Sequence, residues 1–349
     1  MFDVIAIGTA THDVFLQSKA FKPLDPNIFK EGKAPSFAKA SEGMECFGLG
    51  SKIEVEKPVF ANGGGAVNAV VTFARQGLKT AVLCRVGDDE AGRSIWDELK
   101  KEAIHHWKIN PPAGGEKLGT GYATILLSPN GERTILAYRG AAENLAHKEI
   151  PFAELKSRWL YVVPSRIDPV VMEKLVEHCF YQGVSIAMNP SKFYLEKGAK
   201  NLKPFLDKIK VLILNKEEAA YMIGKEPSFA EATEGKREIF KKLDELVKGI
   251  AIMTDGPRGV WVSDGKKIYQ AGIFKERKIT DRTGAGDAFG SGFVAGLIMK
   301  EDIEYAIRLA SANATSVVEA VGAHTTALTR NQFEKERRWG ELEIKIHEN

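Results

Sequence analysis

The chain has 349 residues, of which 44% are hydrophobic and 27% are charged, a balance typical of globular proteins. Its formal net charge of +3 is too small to indicate a nucleic-acid partner or attraction to a membrane surface. The three cysteines, Cys46, Cys84 and Cys179, lack metal-binding spacing and are typical of a reducing cytosol. No apolar stretch is long enough to span a bilayer. We therefore expect a cytoplasmic protein with neither a nucleic-acid nor a membrane partner.

The first half of the chain combines short apolar strands, glycine turns and helices. A strand is predicted at Phe2–Gly8, because a short apolar run there ends at glycine. Asn130-Gly131, which lies between two strand-like runs, is typical of a β-hairpin turn. The other elements of this half are predicted at 66–76 (helix), 80–86 (strand), 91–101 (helix), 121–128 (strand) and 133–138 (strand).

The second half alternates strands and helices, which predicts a parallel sheet with helices on both faces. Strands are predicted at 159–163, 184–188, 211–214 and 250–254. Helices are predicted between them, for example at Pro169–Tyr181. No linker divides the chain, so residues 1–330 are predicted to form one domain, with a small β lid from parts of 14–60 and 118–140. The charged residues 331–349 are predicted to be a solvated terminal helix and strand with no role in a site.

Two segments of the chain are nearly identical. Residues 32–43 read GKAPSFAKASEG and residues 224–235 read GKEPSFAEATEG, so that three of the twelve paired positions differ. Two copies do not make a solenoid, which needs at least three. Our hypothesis is that both are inserted surface segments, because lengthening a loop costs little free energy. The alternative is that they are two similar amphipathic turns.

The stretch Asp281-Arg282-Thr283-Gly284-Ala285-Gly286-Asp287 is predicted to be a tight turn that leads into a helix starting near Asp287. The first amides of a helix are unpaired, and the absence of side chains at Gly284 and Gly286 lets an anion approach the backbone. Together with Ala285, these glycines are a candidate anion hole for a phosphoryl group. Asp287 can take a proton from an attacking hydroxyl. The alternative is a glycine turn in which Asp287 is only the helix cap.

A second glycine cluster, Asn62-Gly63-Gly64-Gly65-Ala66-Val67-Asn68, precedes a predicted helix, and Gly87-Asp88-Asp89-Glu90-Ala91-Gly92 follows the next strand. Together with the stretch that ends at Asp287, they resemble the two signatures of the ribokinase family, also called the PfkB carbohydrate kinases. The resemblance runs over almost the whole chain. It implies a ribokinase-like three-layer α/β sandwich with a mostly parallel central sheet and a small β lid. It also implies ATP-dependent phosphorylation of a hydroxymethyl group on a sugar or sugar derivative.

The resemblance implies a set of substrate-binding residues near the first glycine cluster. Asp13 stands where the family has an acid that binds substrate hydroxyls, and a carboxylate can accept from two neighbouring hydroxyls at once. Gly63, Gly64 and Gly65 would let the substrate lie against the backbone. Asn68 can both donate to and accept from sugar hydroxyls. Taken alone, Asp13 would be an ordinary turn aspartate.

The nucleotide must be held without a P-loop, because no such sequence occurs in the chain. Asn215 and Glu218 resemble the family's N-x-x-E motif, which organises Mg²⁺ and the phosphates through water. One glutamate is sufficient, since Mg²⁺ keeps several water ligands. Thr254, Gly256 and Gly259 resemble the family's T-x-G-x-x-G loop, which faces the nucleotide phosphates.

Three further positions are assigned by the same resemblance. Asn313 matches a position near the adenine, with a solvent-facing helical asparagine as the alternative. Asp281 and Thr283 match a region that holds a monovalent cation, K⁺, in many members, and Gly322-Ala323 resembles the loop that closes the site. Arg282 stands where the family usually has threonine or a small residue. An arginine there either reaches a phosphate or points outward, which bears on the cation site more than on the chemistry.

Other functions remain open at this point. A nucleoside kinase of the same fold is one, because a nucleoside displays the same ribose-like diol as a sugar. A ligand-binding regulator that lost catalysis is another, although the intact Asp287 argues against it. A nicotinamide oxidoreductase fits the α/β pattern but lacks the expected phosphate-binding fingerprint. A homodimer through the exposed lid face occurs often in the family and is open here.

Overall fold

The computed structural model of the chain describes residues 1–21, 47–107, 109, 118–128 and 133–348. The strands in these residues are β1 (Phe2–Gly8), β2 (Thr11–Gln17), β3 (Val59–Gly63), β4 (Thr80–Cys84), β5 (His105–His106), β6 (Gly121–Leu127), β7 (Arg133–Tyr138), β8 (Ser157–Val163), β9 (Ser185–Met188), β10 (Val211–Asn215), β11 (Ile250–Thr254), β12 (Val260–Ser263), β13 (Lys267–Ala271) and β14 (Ile344–Glu348). The helices are α1 (Gly65–Arg75), α2 (Glu90–Lys101), α3 (Pro169–Tyr181), α4 (Lys192–Leu195), α5 (Ala199–Leu206), α6 (Lys216–Met222), α7 (Thr233–Leu246), α8 (Ala285–Lys300), α9 (Ile303–Val317) and α10 (Arg330–Lys335).

A large central sheet runs through the described residues in the order β14-β13-β12-β11-β10-β9-β8-β1-β4-β5. From β11 to β5 all neighbouring strands are parallel. The strands β12, β13 and β14 extend this sheet in antiparallel fashion. The predicted mostly parallel sheet is thereby confirmed.

Helices cover both faces of this sheet. Because successive side chains of a strand point to opposite faces, β1 shows the two layers directly. Ile5 and Ile7 pack in one apolar cluster with helices α3 to α7. Val4 packs with α8 and α9 on the opposite face, where Ala6 packs with α1 and α2. The result is the predicted three-layer α/β sandwich. Among the described residues, no helix combines the length and apolarity that a membrane span requires.

A smaller sheet with the order β3-β2-β6-β7 stands apart from the central one. Its strands β6 and β7 pair in antiparallel fashion from Tyr122–Tyr138 to Leu127–Arg133, as expected of a hairpin. The predicted turn at 129–132 lies outside the described residues. This sheet matches the predicted lid in position, and β2 leads into it directly from the end of β1.

The carboxyl ends of the parallel strands gather the polar residues singled out above. In open α/β sheets ligands bind at this edge. Asn215 ends β10, Thr254 ends β11 and Gly8 ends β1, only a few residues before Asp13. The fold therefore brings the substrate and nucleotide motifs to one edge of the sheet.

The prediction of a solvated tail at 331–349 is wrong for its described part. Its helix and strand are present, but β14 pairs with β13 as the edge strand of the central sheet. Phe333 and Trp339 are 4% and 2% exposed and belong to the core cluster around α8 and α9. Charged residues dominated the sequence pattern, but the few apolar ones anchor the segment to the domain.

The hypothesis of an inserted surface segment stays a prediction for residues 224–235, most of which are exposed. The segment forms a 3₁₀ turn at Pro227–Glu231 and the start of α7, and Ala230 is fully buried. Glu231 accepts a hydrogen bond from the ammonium group of Lys216 and lies 3.4 Å from the guanidinium of Arg258. The segment therefore supports the loop after β11. The first copy, 32–43, lies outside the described residues.

Candidate active site

The turn before α8 has the sharp geometry that its glycines predict. Gly284 has φ of 79°, and a Cβ at this position would overlap the carbonyl oxygen and Cα of Ala323. Gly286, in contrast, has no atom within 4 Å of its ideal Cβ position. Ala285 and Gly286 line a cleft, so the first turn of α8 is open to a ligand. An anion could approach these backbone amides from the cleft.

Asp287 lies in the first turn of α8, half-buried beside the glycine turn. Its Oδ2 accepts a hydrogen bond of 2.8 Å from Nδ2 of Asn68, a residue 219 positions earlier in the chain. Burial raises the pKa of Asp287 above its ordinary value, while Asn68 and the nearby His324 act in the opposite direction. A carboxylate with a raised pKa is a better proton acceptor, which suits a general base.

Asp13 is 5% exposed on β2, where the lid joins the core. Burial raises the pKa of its carboxyl group to about 6, although a hydrogen bond with Thr11 and the nearby His12 and His324 oppose the shift. Its Oδ1 atom is buried and has no hydrogen-bond partner among the described residues. A Cβ on Gly63 would overlap the other carboxyl oxygen, so the glycine makes room for Asp13.

The two other glycines of the first cluster serve close packing. A Cβ on Gly64, which caps α1, would lie 2.6 Å from the carbonyl oxygen of Thr9. A Cβ on Gly65 would lie 2.5 Å from Cγ1 of Val163. Because of these close contacts, the start of α1, which carries Asn68, packs directly against the ends of β1 and β8.

A buried polar network, which sequence reasoning missed, continues from Asn68. His324 Nδ1 lies 2.8 Å from Asn68 Oδ1, and His324 Nε2 lies 2.8 Å from Glu98 Oε1. Glu98 Oε2 in turn accepts from Nδ2 of Asn62 at 2.6 Å, and Asn62 Oδ1 lies 2.8 Å from His12 Nδ1. The only sequence signal was a histidine placed directly after the Gly322-Ala323 loop. We call Asn68, His324, Glu98, Asn62 and His12 the polar chain.

A cleft of about 620 Å³ lies beside the first turn of α8. It is lined by the predicted nucleotide residues Asn215, Thr254, Gly256 and Gly259, together with Ala285, Gly286 and the arginines Arg133, Arg258 and Arg282. Arg282 thus faces the cleft rather than bulk solvent. Asp255 fixes the loop that holds Gly256 and Gly259, because it accepts from Lys236 and Arg258 at 2.7 Å. This cleft is the candidate nucleotide site.

Glu218 is the candidate contact to Mg²⁺. Its Oε2 accepts from the backbone amide of Asn215, whose side chain caps the same helix in return. The pKa of Glu218 is raised to about 7, chiefly by burial and also by the charges of Glu217 and Asp287, while the hydrogen bond from the Asn215 amide acts in the opposite direction. No cluster of three histidine, cysteine or acidic residues fit for a metal occurs in the part of the chain described. A single carboxylate next to the cleft residue Asn215 is a donor that fits a magnesium ion held mainly by water and phosphate.

Asp281 and Thr283 lie where two loops meet. The fully buried carboxylate of Asp281 accepts from the backbone amides of Thr283 at 2.8 Å and of Gly322 at 3.2 Å. The Thr283 hydroxyl oxygen is buried without a hydrogen-bond partner among the described residues. A buried negative charge beside an unused oxygen is a donor set that fits K⁺.

Asn313 lies behind the wall of the cleft, so the solvent-facing alternative is wrong, while its place near the adenine stays a prediction. The residue is fully buried in α9. Its Nδ2 donates to the Ala288 carbonyl at 2.9 Å and to Thr72 Oγ1 at 3.2 Å, and its Oδ1 accepts from the Leu328 amide at 2.8 Å. Its amide therefore ties α9 to α1 and α8. Neighbours of Asn313 on α9, Ser311, Ala314 and Thr315, line the cleft instead.

Comparison with known families identifies one match over most of the chain. The sequence model described as "pfkB family carbohydrate kinase" matches residues 37–330. The matched range contains both glycine clusters and the nucleotide-cleft residues described above.

Individual proteins show similarity at lower identity. Ribokinase of Bacillus subtilis is 27% identical over 276 residues, which cover 78% of this chain and 86% of that protein. The 5-dehydro-2-deoxygluconokinase of the same organism is 24% identical over 339 residues, covering 88% of this chain and 97% of that protein. Among solved structures, ribokinase from Cryptococcus neoformans in complex with ADP superposes with a TM-score of 0.73 at 20% identity, covering 96% of this chain and 99% of that one. That likeness shows a shared fold.

Proposed function

Because the chain belongs to the PfkB family of carbohydrate kinases, it is an ATP-dependent sugar kinase, and we propose that its reaction is centred on Asp287, Asp13 and the first turn of α8. The observation that carries this assignment is the hydrogen bond between Asn68 and Asp287. It joins the glycine turn of the substrate side to the glycine turn that borders the nucleotide cleft. An acceptor and a phosphoryl donor would therefore meet at Asp287.

The proposed reaction is an in-line transfer of the γ-phosphoryl group of ATP to a hydroxymethyl oxygen. A bond forms between that oxygen and the γ-phosphorus, the bond from the γ-phosphorus to the β,γ-bridging oxygen breaks, and ADP leaves. The hydroxyl proton passes to Asp287. Since Oδ2 is held by Asn68, Oδ1 is the atom that we expect to accept it. The amides of Gly284 to Gly286 stabilise the charge on the phosphoryl oxygens.

The acceptor is positioned from the lid side. The buried Oδ1 of Asp13 lacks a hydrogen-bond partner among the described residues, and an unsatisfied buried acceptor is costly. A sugar hydroxyl would satisfy it. The second N–H of Asn68 Nδ2 remains for another hydroxyl, because the first is used by Asp287. We propose a monosaccharide or sugar acid as the acceptor class, which the names of the two curated relatives support.

Two cations are part of this proposal. Glu218 and Asn215 would hold Mg²⁺ through water, and the ion would shield the negative charges of the phosphates. Asp281 and Thr283 would hold K⁺ beside the anion hole. Activity measured with K⁺, Na⁺ or neither at constant ionic strength tests the second ion, and equal rates in all three would remove it.

The acceptor is tested with a panel of ribose, 5-dehydro-2-deoxygluconate, 2-keto-3-deoxygluconate, fructose 6-phosphate and adenosine. ADP release is followed with Mg²⁺ and ATP, and the phosphorylated product is identified by mass. We expect a strong rate with one monosaccharide or sugar acid. A strong rate with adenosine alone would contradict the proposed acceptor class and support the nucleoside kinase.

A further inference from the structure

His324 lies in the turn that follows α9, with only 4% of its surface exposed. The turn is fixed by Arg75 of α1, whose guanidinium donates to the carbonyl oxygens of His324, Thr325 and Ala327 at 3.0–3.1 Å. Arg75 is held in turn by Glu102 at 2.7 Å. The imidazole is therefore fixed in place next to Asn68 and has almost no access to solvent.

The hydrogen bonds of His324 have assignable directions. Asn68 donates through Nδ2 to the Asp287 carboxylate, so its Oδ1, which faces His324, is an acceptor. The hydrogen of this bond must then come from His324 Nδ1. Nε2 faces the Glu98 carboxylate, which also accepts when ionised. A ring with hydrogen on both nitrogens satisfies both neighbours.

The opposite arrangement would disturb Asp287. If Nδ1 of His324 lacked hydrogen, its lone pair would face Oδ1 of Asn68, and the contact would be repulsive. Asn68 could relieve this by turning its amide over, but its oxygen would then face the Asp287 carboxylate. Asn68 can therefore donate to Asp287 without a repulsive contact only if His324 Nδ1 donates to Asn68.

Acidic groups from three elements surround the ring. Glu98 of α2 contacts it directly. Asp287 of α8 and Asp13 of β2 both have their pKa lowered by His324 against the effect of burial. Arg75 is the basic group beside the turn, and its hydrogen bonds to the turn go to backbone oxygens. His12 sits at the far end of the polar chain, beyond Asn62.

We propose that His324 is a positioning residue, which donates through Nδ1 to Asn68 and thereby fixes the Asn68 amide as a hydrogen-bond donor to Asp287. The inference rests on the proposed function only in taking Asp287 as the catalytic base. His324 acts through Asn68 and does not touch the substrate, because its ring is buried behind that residue.

A kinetic test uses His324→Gln, Asn68→Ala and the double variant. Losing a hydrogen bond to a charged network costs a factor on the order of ten or more, so we expect kcat of His324→Gln to fall by about tenfold, with a smaller change in KM. In the Asn68→Ala background the same substitution should change kcat by less than about twofold, because the coupling partner is gone. An equal loss in both backgrounds would overturn the proposal.

A matched control is available on the other face of the sheet. His178 of α3 is also partly buried and lies 3.0 Å from the Phe152 carbonyl oxygen, but it packs among helices away from the cleft. His178→Gln should leave kcat unchanged.

The pH profile supplies a second readout. Without His324 the pKa of Asp287 rises, so the acid limb of kcat should move to higher pH, and an unmoved limb would contradict the proposal.

A measurement without catalysis separates this inference from the proposed function. Long-range ¹H–¹⁵N spectra of the imidazole rings, assigned by the signal lost in His324→Gln, report which ring nitrogens carry hydrogen. We expect hydrogen on Nδ1 of His324 at pH 7. A bare Nδ1 would overturn the inference even in an active kinase. A protonated Nδ1 in a protein that phosphorylates no acceptor would uphold the arrangement while the proposed function fails.

Discussion

Burial sets the proton affinity of three carboxyl groups at the scale of single residues. It raises the pKa of Asp13 to about 6 and of Glu218 to about 7, and it raises that of Asp287 as well. In the proposed reaction a ligand would replace the lost water contacts of each group: a sugar hydroxyl at Asp13, a hydrated cation at Glu218 and a proton donor at Asp287. In the free protein these carboxylates therefore carry a desolvation cost, which bound ligands would reduce.

Asp13 makes this testable through the pH dependence of stability. Folding raises its pKa from 3.8 to about 6, so its contribution to stability is complete below pH ~4 and is lost as pH rises through ~6. A shift of two units corresponds to about 3 kcal/mol. Between pH 4 and 7, the free energy of unfolding of Asp13→Asn should therefore gain up to ~3 kcal/mol relative to the unsubstituted protein. Chemical denaturation at both pH values measures the difference, and a constant difference would refute the burial argument.

The first turn of α8 decides, at the scale of the element, whether an anion can be held. Gly284 and Gly286 look equivalent in the sequence but differ in the structure. Gly284 has positive φ and presses on Ala323, whereas Gly286 borders open space in the cleft. Gly284 is therefore needed for the backbone conformation of the turn, whereas Gly286 leaves room for a ligand.

A pair of alanine substitutions separates these two roles. Gly284→Ala should lower both the melting temperature and kcat, because the turn must distort. Gly286→Ala should leave the melting temperature equal or higher, since alanine favours a helix by about 1 kcal/mol, yet raise KM for ATP or lower kcat. Thermal denaturation and steady-state kinetics on both variants check this. Two variants with the same stability and the same activity would contradict the assignment.

Helices and turns could be predicted where residues close together in the chain determine them. The helix Pro169–Tyr181 has the predicted bounds, because Asp168 caps it and Pro169 occupies its first position. The glycine turn before α8 was likewise evident, although the helix starts at Ala285, two residues earlier than expected. Asn313 and His324 could not be placed, because their partners Thr72 and Asn68 lie 241 and 256 positions away in the chain. No local pattern encodes such contacts.

At the scale of the whole molecule, the hydrophobic core and the central sheet include residues of the segment 331–348. Trp339 packs perpendicular to Phe274 with ring centroids 5.3 Å apart, and β14 closes the edge of the central sheet. The charge-rich composition of 331–349 hid this, because two aromatic residues outweigh many exposed charges once they are buried.

Trp339→Ala tests this extension. Removing a buried tryptophan typically costs about 3–5 kcal/mol, so we expect a clear loss of stability in urea denaturation. Tyr181→Ala is the control, since that aromatic side chain is 77% exposed and should matter little. Turnover of the folded Trp339→Ala protein at low temperature should be close to normal. If both variants were equally stable, the C-terminal segment would not be part of the core.

The most direct test of the central claim is transfer of radiolabel from [γ-³²P]ATP to the best sugar acceptor, measured side by side for the unsubstituted protein and Asp287→Asn. A general base contributes a factor of ~100 to ~10,000, so Asp287→Asn should transfer label at least about a hundredfold more slowly. Its melting temperature should not fall, because asparagine removes a buried charge and keeps a polar group of the same shape. Near-normal transfer by the folded variant would contradict the role of Asp287 as the base.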